Sequence, residues 1–322
     1  MSRPLLEQWR TQLQSLLGLP SKEIGQLGGG RRKRTRIVDL AMIQSLKAID
    51  ELESFFADYG LVVVDECHHL PAVSFEAAVR HAPVRHFLGL TATPYRRDGL
   101  QEIVTMQCGP IRHRITHSES PAGAISLELA VRETEFALPD TGQTAIQEVF
   151  RLLVEDERRT TLVCDDVVAA LSKGRRCLVL SHWKQHCQLL AQALRSQGVS
   201  PFVLEGGLGK RHRAALLEQI ENYPAGDDLV VIATGQYLGE GFDCPQLDAL
   251  FLAFPVSFKG PLVQYAGRLM RAHDGKTSAR IYDYADLHVP VLRAMHLRRL
   301  RTYKSLGFTR RHEQALALAV EG

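Results

Sequence analysis

Leu61-Val62-Val63-Val64 is an apolar, largely β-branched run that ends directly in two carboxylates, Asp65 and Glu66. In open α/β sheets ligands collect beyond the carboxyl ends of the strands. An aspartate there can hold Mg2+ on nucleotide phosphates, and the adjoining glutamate can polarise an attacking water. A polar turn after a buried strand explains the pair equally well when it is taken alone. Cys67, His68 and His69 follow at once, but adjacent residues without spaced partners do not make a tetrahedral zinc site.

Three further constellations repeat the theme of chemistry at a strand end. Gly89-Leu90-Thr91-Ala92-Thr93-Pro94 closes the next apolar run, and its hydroxyls can hydrogen-bond a neighbouring carboxylate or a phosphate. The run 229–233 leads through Thr234 into Gly239-Glu240-Gly241-Phe242-Asp243, where glycines permit close backbone approach to a phosphate. Gln264, Arg268 and Arg271 fall at helical spacing, so both arginines are expected on one helix face. Fixed positive charge of that kind suits a transferring phosphoryl group. Each has a plain alternative: a Thr-Pro turn, a glycine loop, a pair of surface arginines.

The elements that must position these residues are legible as an alternation. Strands are expected at 37–42, 61–64, 86–90, 177–181, 201–204, 229–233, 249–253 and 280–283. Helices are expected at 4–17, 43–57, 74–81, 143–154, 160–172, 183–196, 210–222 and 261–270. Alternating strands and helices predict an α/β fold with parallel sheets. A stretch rich in Pro, Gly, Ser and Thr divides the chain, giving a first domain at 1–117, a linker at 118–142, a second domain at 143–290 and a basic helical extension at 291–322. Two domains also suit 322 residues at about 150 per domain.

Composition narrows the class. With 45% hydrophobic and 23% charged residues the chain is an ordinary globular protein, not a disordered or disulfide-stapled one. No apolar run approaches the ~20 residues of a membrane span, and the six cysteines read as reduced thiols in a cytoplasmic protein. Arginine outnumbers lysine heavily among the 39 basic residues, which favours phosphate partners; a GC-rich genome would produce the same bias. Two basic runs stand out: Arg31-Arg32-Lys33-Arg34 with Arg36, and the acid-free stretch 291–311. Such runs often touch nucleic acid and are also often plain solvated surface.

Taken together and in order, Asp65-Glu66-Cys67-His68, Thr91-Ala92-Thr93, the loop 239–243 and Gln264-x-x-Gly267-Arg268-x-x-Arg271 resemble motifs II, III, V and VI of superfamily 2 (DEAD/DEAH-box-like) helicases. The branch is similar to the DExH-type DNA helicases related to type III restriction subunits. Leu5-Leu-Glu-Gln-Trp9 resembles the end of motif Ia, Ala41-Met-Ile-Gln-Ser45 motif Ib, and Val179-Leu-Ser-His182 motif IV. The resemblance implies two RecA-like domains in tandem, with ATP in the cleft between them and a nucleic-acid strand across their top. It implies that Asp65 coordinates Mg2+ through water and that Glu66 activates water. It further implies that His68 and Gln264 couple the domains and that Thr91 and Thr93 link hydrolysis to movement. Gly239, Gly241 and Asp243 would meet the nucleotide, Thr234 the nucleic-acid backbone, and Arg268 and Arg271 would be arginine fingers. Arg31, Arg32, Lys33 and Arg34 are the expected phosphate contacts.

One departure stands out. Motif I, G-x-x-x-x-G-K-[S/T], should precede motif Ia, and the 322 residues contain no copy. Gly25-x-x-x-x-Gly30 continues into Arg31-Arg32, Gly275-Lys276-Thr277 has Met270 where a glycine is required, and Gly209-Lys210-Arg211 fails at both ends. That loop normally grips the β- and γ-phosphates. The expectation is therefore an ATP-dependent helicase or translocase, acting on DNA with RNA left open, whose first domain is N-terminally truncated. The chain alone is expected to turn over little ATP. Alternatives are a nucleic-acid-binding module without ATPase activity, and a split enzyme completed by a partner that carries motif I.

Overall fold

The computed structural model describes residues 3–69, 82–92, 101–114, 125–139, 144–235, 242, 244–256, 259–271, 273 and 275–310. The chain divides into two compact units, Met1–Arg114 and Ile115–Gly322.

In the first unit, helix α1 (Arg3–Leu17) buries Leu6 completely. It also sends Arg10 to the Ile24 carbonyl at 2.9 Å and to Gln26 Oε1 at 3.1 Å. Strand β1 (Ile24–Gly28) lies between β2 (Arg31–Lys33), antiparallel to it, and β3 (Val38–Ala41), parallel to it. The β1–β2 turn needs glycine: Gly28, Gly29 and Gly30 have φ of 121°, 64° and 90°. A separate parallel pair follows, β4 (Leu61–Asp65) with β5 (His86–Leu90). One face of this pair packs Val64 and Cys67 on Val104 of α4 (Gln101–Cys108). On the other face Leu61, Val63, Leu88 and Leu90 are 38–52% exposed.

The helix expected over 43–57 is two short ones, α2 (Ile43–Leu46) and α3 (Leu52–Phe56). Asp50 and Glu51 fall at the break, and aspartate competes with the helix by bonding to nearby backbone. Leu46, Phe55 and Phe56 still reach one core with Leu27. The helix expected at 74–81 lies outside the described residues.

The second unit is a seven-stranded sheet in the order β12-β6-β11-β10-β7-β9-β8, with every neighbouring pair parallel. Its strands are β6 (Ser126–Glu133), β7 (Cys177–Ser181), β8 (Phe202–Leu204), β9 (Val230–Thr234), β10 (Ala249–Leu252), β11 (Ser278–Ala285) and β12 (Thr309–Arg310). The helices are α5 (Ile146–Glu155), α6 (Glu157–Leu171), α7 (Lys184–Ser196), α8 (Lys210–Glu221), α9 (Lys259–Leu269) and α10 (Pro290–Ser305). β7, β9 and β10 are buried along their whole length, as parallel strands covered on both faces must be. One core holds Leu178, Leu180, Val231, Leu250 and Ile281; the other holds Cys177, Val179, Ile232, Phe251 and Tyr282.

Two expectations change here. The stretch 118–142 is not only a join: it supplies β6, which pairs with β11 over eight residues from Ser126↔Ser278 to Glu133↔Ala285. Cross-strand partners Arg280 and Glu128 fix that register with a 2.6 Å ion pair. Nor is the described part of the basic tail, 291–310, an extension. α10 buries Leu292, Met295, His296, Arg299 and Tyr303 in the second unit, and β12 adds the edge strand next to β6. Arg299 is 3% exposed and grips Asp283 of β11 with contacts of 2.6–3.1 Å. Among the described residues no helix is long and apolar enough to cross a membrane.

Candidate active site

Parallel register brings the strand-end residues of the first unit together. Asp65 pairs with Leu90, so the residues just past each strand, Glu66 and Thr91, emerge side by side. Glu66 then turns the chain in the left-handed region, at φ 52°. A non-glycine residue there is strained by order ~1 kcal/mol and is tolerated when the surroundings dictate it. The Glu66 N–H is one such constraint, donating to Asp65 Oδ1 at 2.9 Å. A 3-10 turn, Cys67–His69, follows and swings His68 back toward Glu66. His68 Nδ1 lies 3.1 Å from Glu66 Oε2 and 2.9 Å from Thr91 Oγ1. One ring nitrogen thus joins the Glu66 carboxylate and the hydroxyl at the end of the adjacent strand.

Asp65 has a second partner that sequence reasoning missed. The Trp9 indole N–H of α1 donates to Asp65 Oδ2 at 2.9 Å. Trp9 stood out only within a motif-like stretch, and its reach to a carboxylate 56 residues away has no local signal. Both Asp65 oxygens are therefore oriented by the protein.

In the second unit, Gln264 and Arg268 lie one turn apart on α9, both half-buried. Arg271 does not share that helix: α9 ends at Leu269, and the Arg271 N–H turns back to the Arg268 carbonyl at 3.3 Å. The two arginines therefore do not share one helix face, contrary to what their spacing predicts. Arg268 Nη1 donates to the Phe242 carbonyl, which ties the helix to that residue. Thr234 ends β9, paired with Ser181 and only 7% exposed. Next to it, Gly235 is glycine because the Tyr265 hydroxyl occupies the space a Cβ would need. Burial raises the Tyr265 pKa, so the group there is a neutral phenol. Ser181, His182, Gly235, Phe254 and Tyr265 line a hollow at this edge of the sheet. Thr93, Gly239, Gly241 and Asp243 lie outside the described residues.

Of the four expected phosphate contacts, Arg31, Arg32 and Lys33 are exposed along the edge strand β2. Arg34 is turned inward instead. It meets Asp58 at 2.7 Å and the Phe55 carbonyl at 3.0 Å, with its guanidinium 4.2 Å over the Phe55 ring. That pairing is tertiary, so a basic run does not reveal it. Among the described residues no group of three or more His, Cys, Asp or Glu side chains could hold a metal.

Comparisons with known proteins fit both halves. Residues 2–96 match the family described as "Type III restriction enzyme, res subunit" and residues 158–273 the "Helicase conserved C-terminal domain". "Probable helicase D10" of Escherichia phage T5 is 24% identical over 86% of this chain and 59% of its own length. "DNA 3'-5' helicase XPB" of Kineococcus radiotolerans is 26% identical over 85% of this chain and 49% of its own length. The chain spans about half the length of the curated relatives it matches. The solved structure of S. cerevisiae Dbp5 bound to RNA and ADP BeF3 aligns with a TM-score of 0.61 at 13% identity, over 96% of this chain and 75% of that one, and it shares the α/β fold. With the res-subunit match over 2–96, the helicase C-terminal match over 158–273 and the ordered motif residues on one polypeptide, the chain belongs to the superfamily 2 helicases.

Proposed function

We propose that this chain is the motor part of an ATP-dependent DNA helicase or translocase that works in the cytoplasm. The Glu66–His68–Thr91 contact carries the reading, because it links a water-polarising carboxylate to the end of the neighbouring strand. A polar turn of purely structural use has no need of a left-handed glutamate whose carboxylate is held beside a histidine. In this reading Glu66 accepts the proton of the attacking water, and His68 and Thr91 hold it in place. Gln264, Arg268 and Arg271 keep the role their motif resemblance implies, the arginines supplying positive charge to a phosphoryl group.

Mg2+ suits Asp65 by its donor chemistry. A half-buried carboxylate with both oxygens already oriented matches an ion that keeps most of its waters and takes one or two carboxylates. Bound there with ATP, the ion would neutralise phosphate charge. A G-x-x-x-x-G-K-[S/T] element, on the same polypeptide or on a partner, would supply the phosphate grip.

The test combines binding and turnover. Fluorescence anisotropy with matched single-stranded DNA and RNA is expected to show DNA binding that weakens steeply with salt, as phosphate contacts through Arg31, Arg32 and Lys33 require. Little DNA-stimulated ATP turnover is expected of the 322 residues alone. Turnover that disappears in Glu66→Gln would place the phosphate grip within this chain and overturn that part. Failure to bind either nucleic acid at low salt would remove the motor reading altogether.

A further inference from the structure

Gly89 sits in the middle of β5 with no positive φ to explain it. Glycine in a strand interior weakens the strand and often marks a close approach. Here the close approach is by sulfur. A Cβ on Gly89 would lie 2.7 Å from Cys108 Sγ and 2.9 Å from Cys67 Sγ. The two thiols therefore share the one space that a side chain at 89 would fill. Cys67 opens the turn after β4 and is 3% exposed; Cys108 ends α4 and is partly exposed. The other four cysteines lie in the second unit at 0–5% exposure.

We propose that Cys67 and Cys108 form an oxidation site, a dithiol that hydrogen peroxide converts into an intramolecular disulfide across Gly89. One sulfur of the pair reacts first, as its thiolate. It takes one peroxide oxygen, the O–O bond breaks, hydroxide leaves, and a sulfenic acid remains. The second sulfur then attacks that sulfur, the S–O bond breaks, and water departs with the second thiol's proton. The hydroxide collects the proton that the first thiol gave up. In sum, two thiols are oxidised by two electrons, and one peroxide is reduced to two waters. The product ties the turn that carries Glu66 and His68 to α4. Any effect of that tie on turnover rests on the ATPase reading above, whereas formation of the bond does not.

The test therefore reads the bond itself. The folded chain is treated with hydrogen peroxide, quenched, denatured and alkylated, then weighed intact and mapped without reduction. Alkylatable thiols are expected to fall from the six free cysteines to the four outside the pair. One non-reduced peptide should join Cys67 to Cys108, and a reductant should restore all six. Cys108→Ser should give no joined peptide, and Gly89→Ala should suppress it by placing a methyl between the sulfurs. The parent chain carries the test by itself, so a misfolded variant cannot mask the answer. Six thiols remaining, a joined peptide built from other cysteines, or over-oxidation of Cys67 or Cys108 without a bond between them would each overturn the proposal.

Discussion

At the scale of single residues, burial decides what a titratable group can do. His186 on α7 is fully buried, with Nδ1 2.9 Å from Ser181 Oγ. Burial first, and the charge of Arg159 second, lower its pKa to about 3. The folded chain therefore keeps this ring neutral, while the unfolded chain takes up a proton below about pH 6.5. Stability must fall as pH drops from about 6.5 toward 3, by about 1.4 kcal/mol per unit from this group. Urea unfolding is expected to show about 2 kcal/mol lost to His186 at pH 5 relative to pH 7, and His186→Asn should flatten that slope. An unchanged slope would mean that other groups set it. Residue chemistry was unevenly legible in the sequence. Asp65, Glu66 and Thr91 declare themselves because an apolar run ends in each place, and parallel pairing then brings those ends together. Arg34 could not be read in this way, since what removes it from the surface is Asp58 and Phe55, distant residues of no special pattern.

At the scale of elements, charge misleads where a helix buries its arginine. α10 looks solvated because it holds many basic residues and no acid, yet Arg299 is locked against Asp283 and the Tyr284 carbonyl. Burial opposes ionisation of Asp283, but Arg299 and His296 outweigh it and hold the carboxyl well below the usual range. Arg299→Met should strand that carboxylate and cost about 3–5 kcal/mol in chemical unfolding. A loss under 1 kcal/mol would show the pair to be replaceable. The long central strands were legible as continuous apolar runs. β6 was not, because Pro, Gly and Ser upstream dominate its neighbourhood, and only pairing with β11 shows that Leu127 and Leu129 enter the core.

At the scale of the whole molecule, the two units differ in how well their apolar surface is covered. The second unit seals β7, β9 and β10 on both faces. The smaller first unit leaves Leu61, Val63, Leu88, Leu90 and Met106 at 38–83% exposure. Local stability follows buried apolar contact. Hydrogen exchange of the intact chain should therefore release β4 and β5 amides at least about tenfold faster than those of β7, β9 and β10. Equal rates would indicate a single cooperative body. The placement of Trp9 has an optical consequence. Each unit holds one of the two tryptophans, Trp9 in the first and Trp183 in the second. Because the Trp9 indole rests on Asp65, its emission in a Trp183→Phe background is a built-in gauge of that carboxylate, readable without a label and without any turnover of substrate.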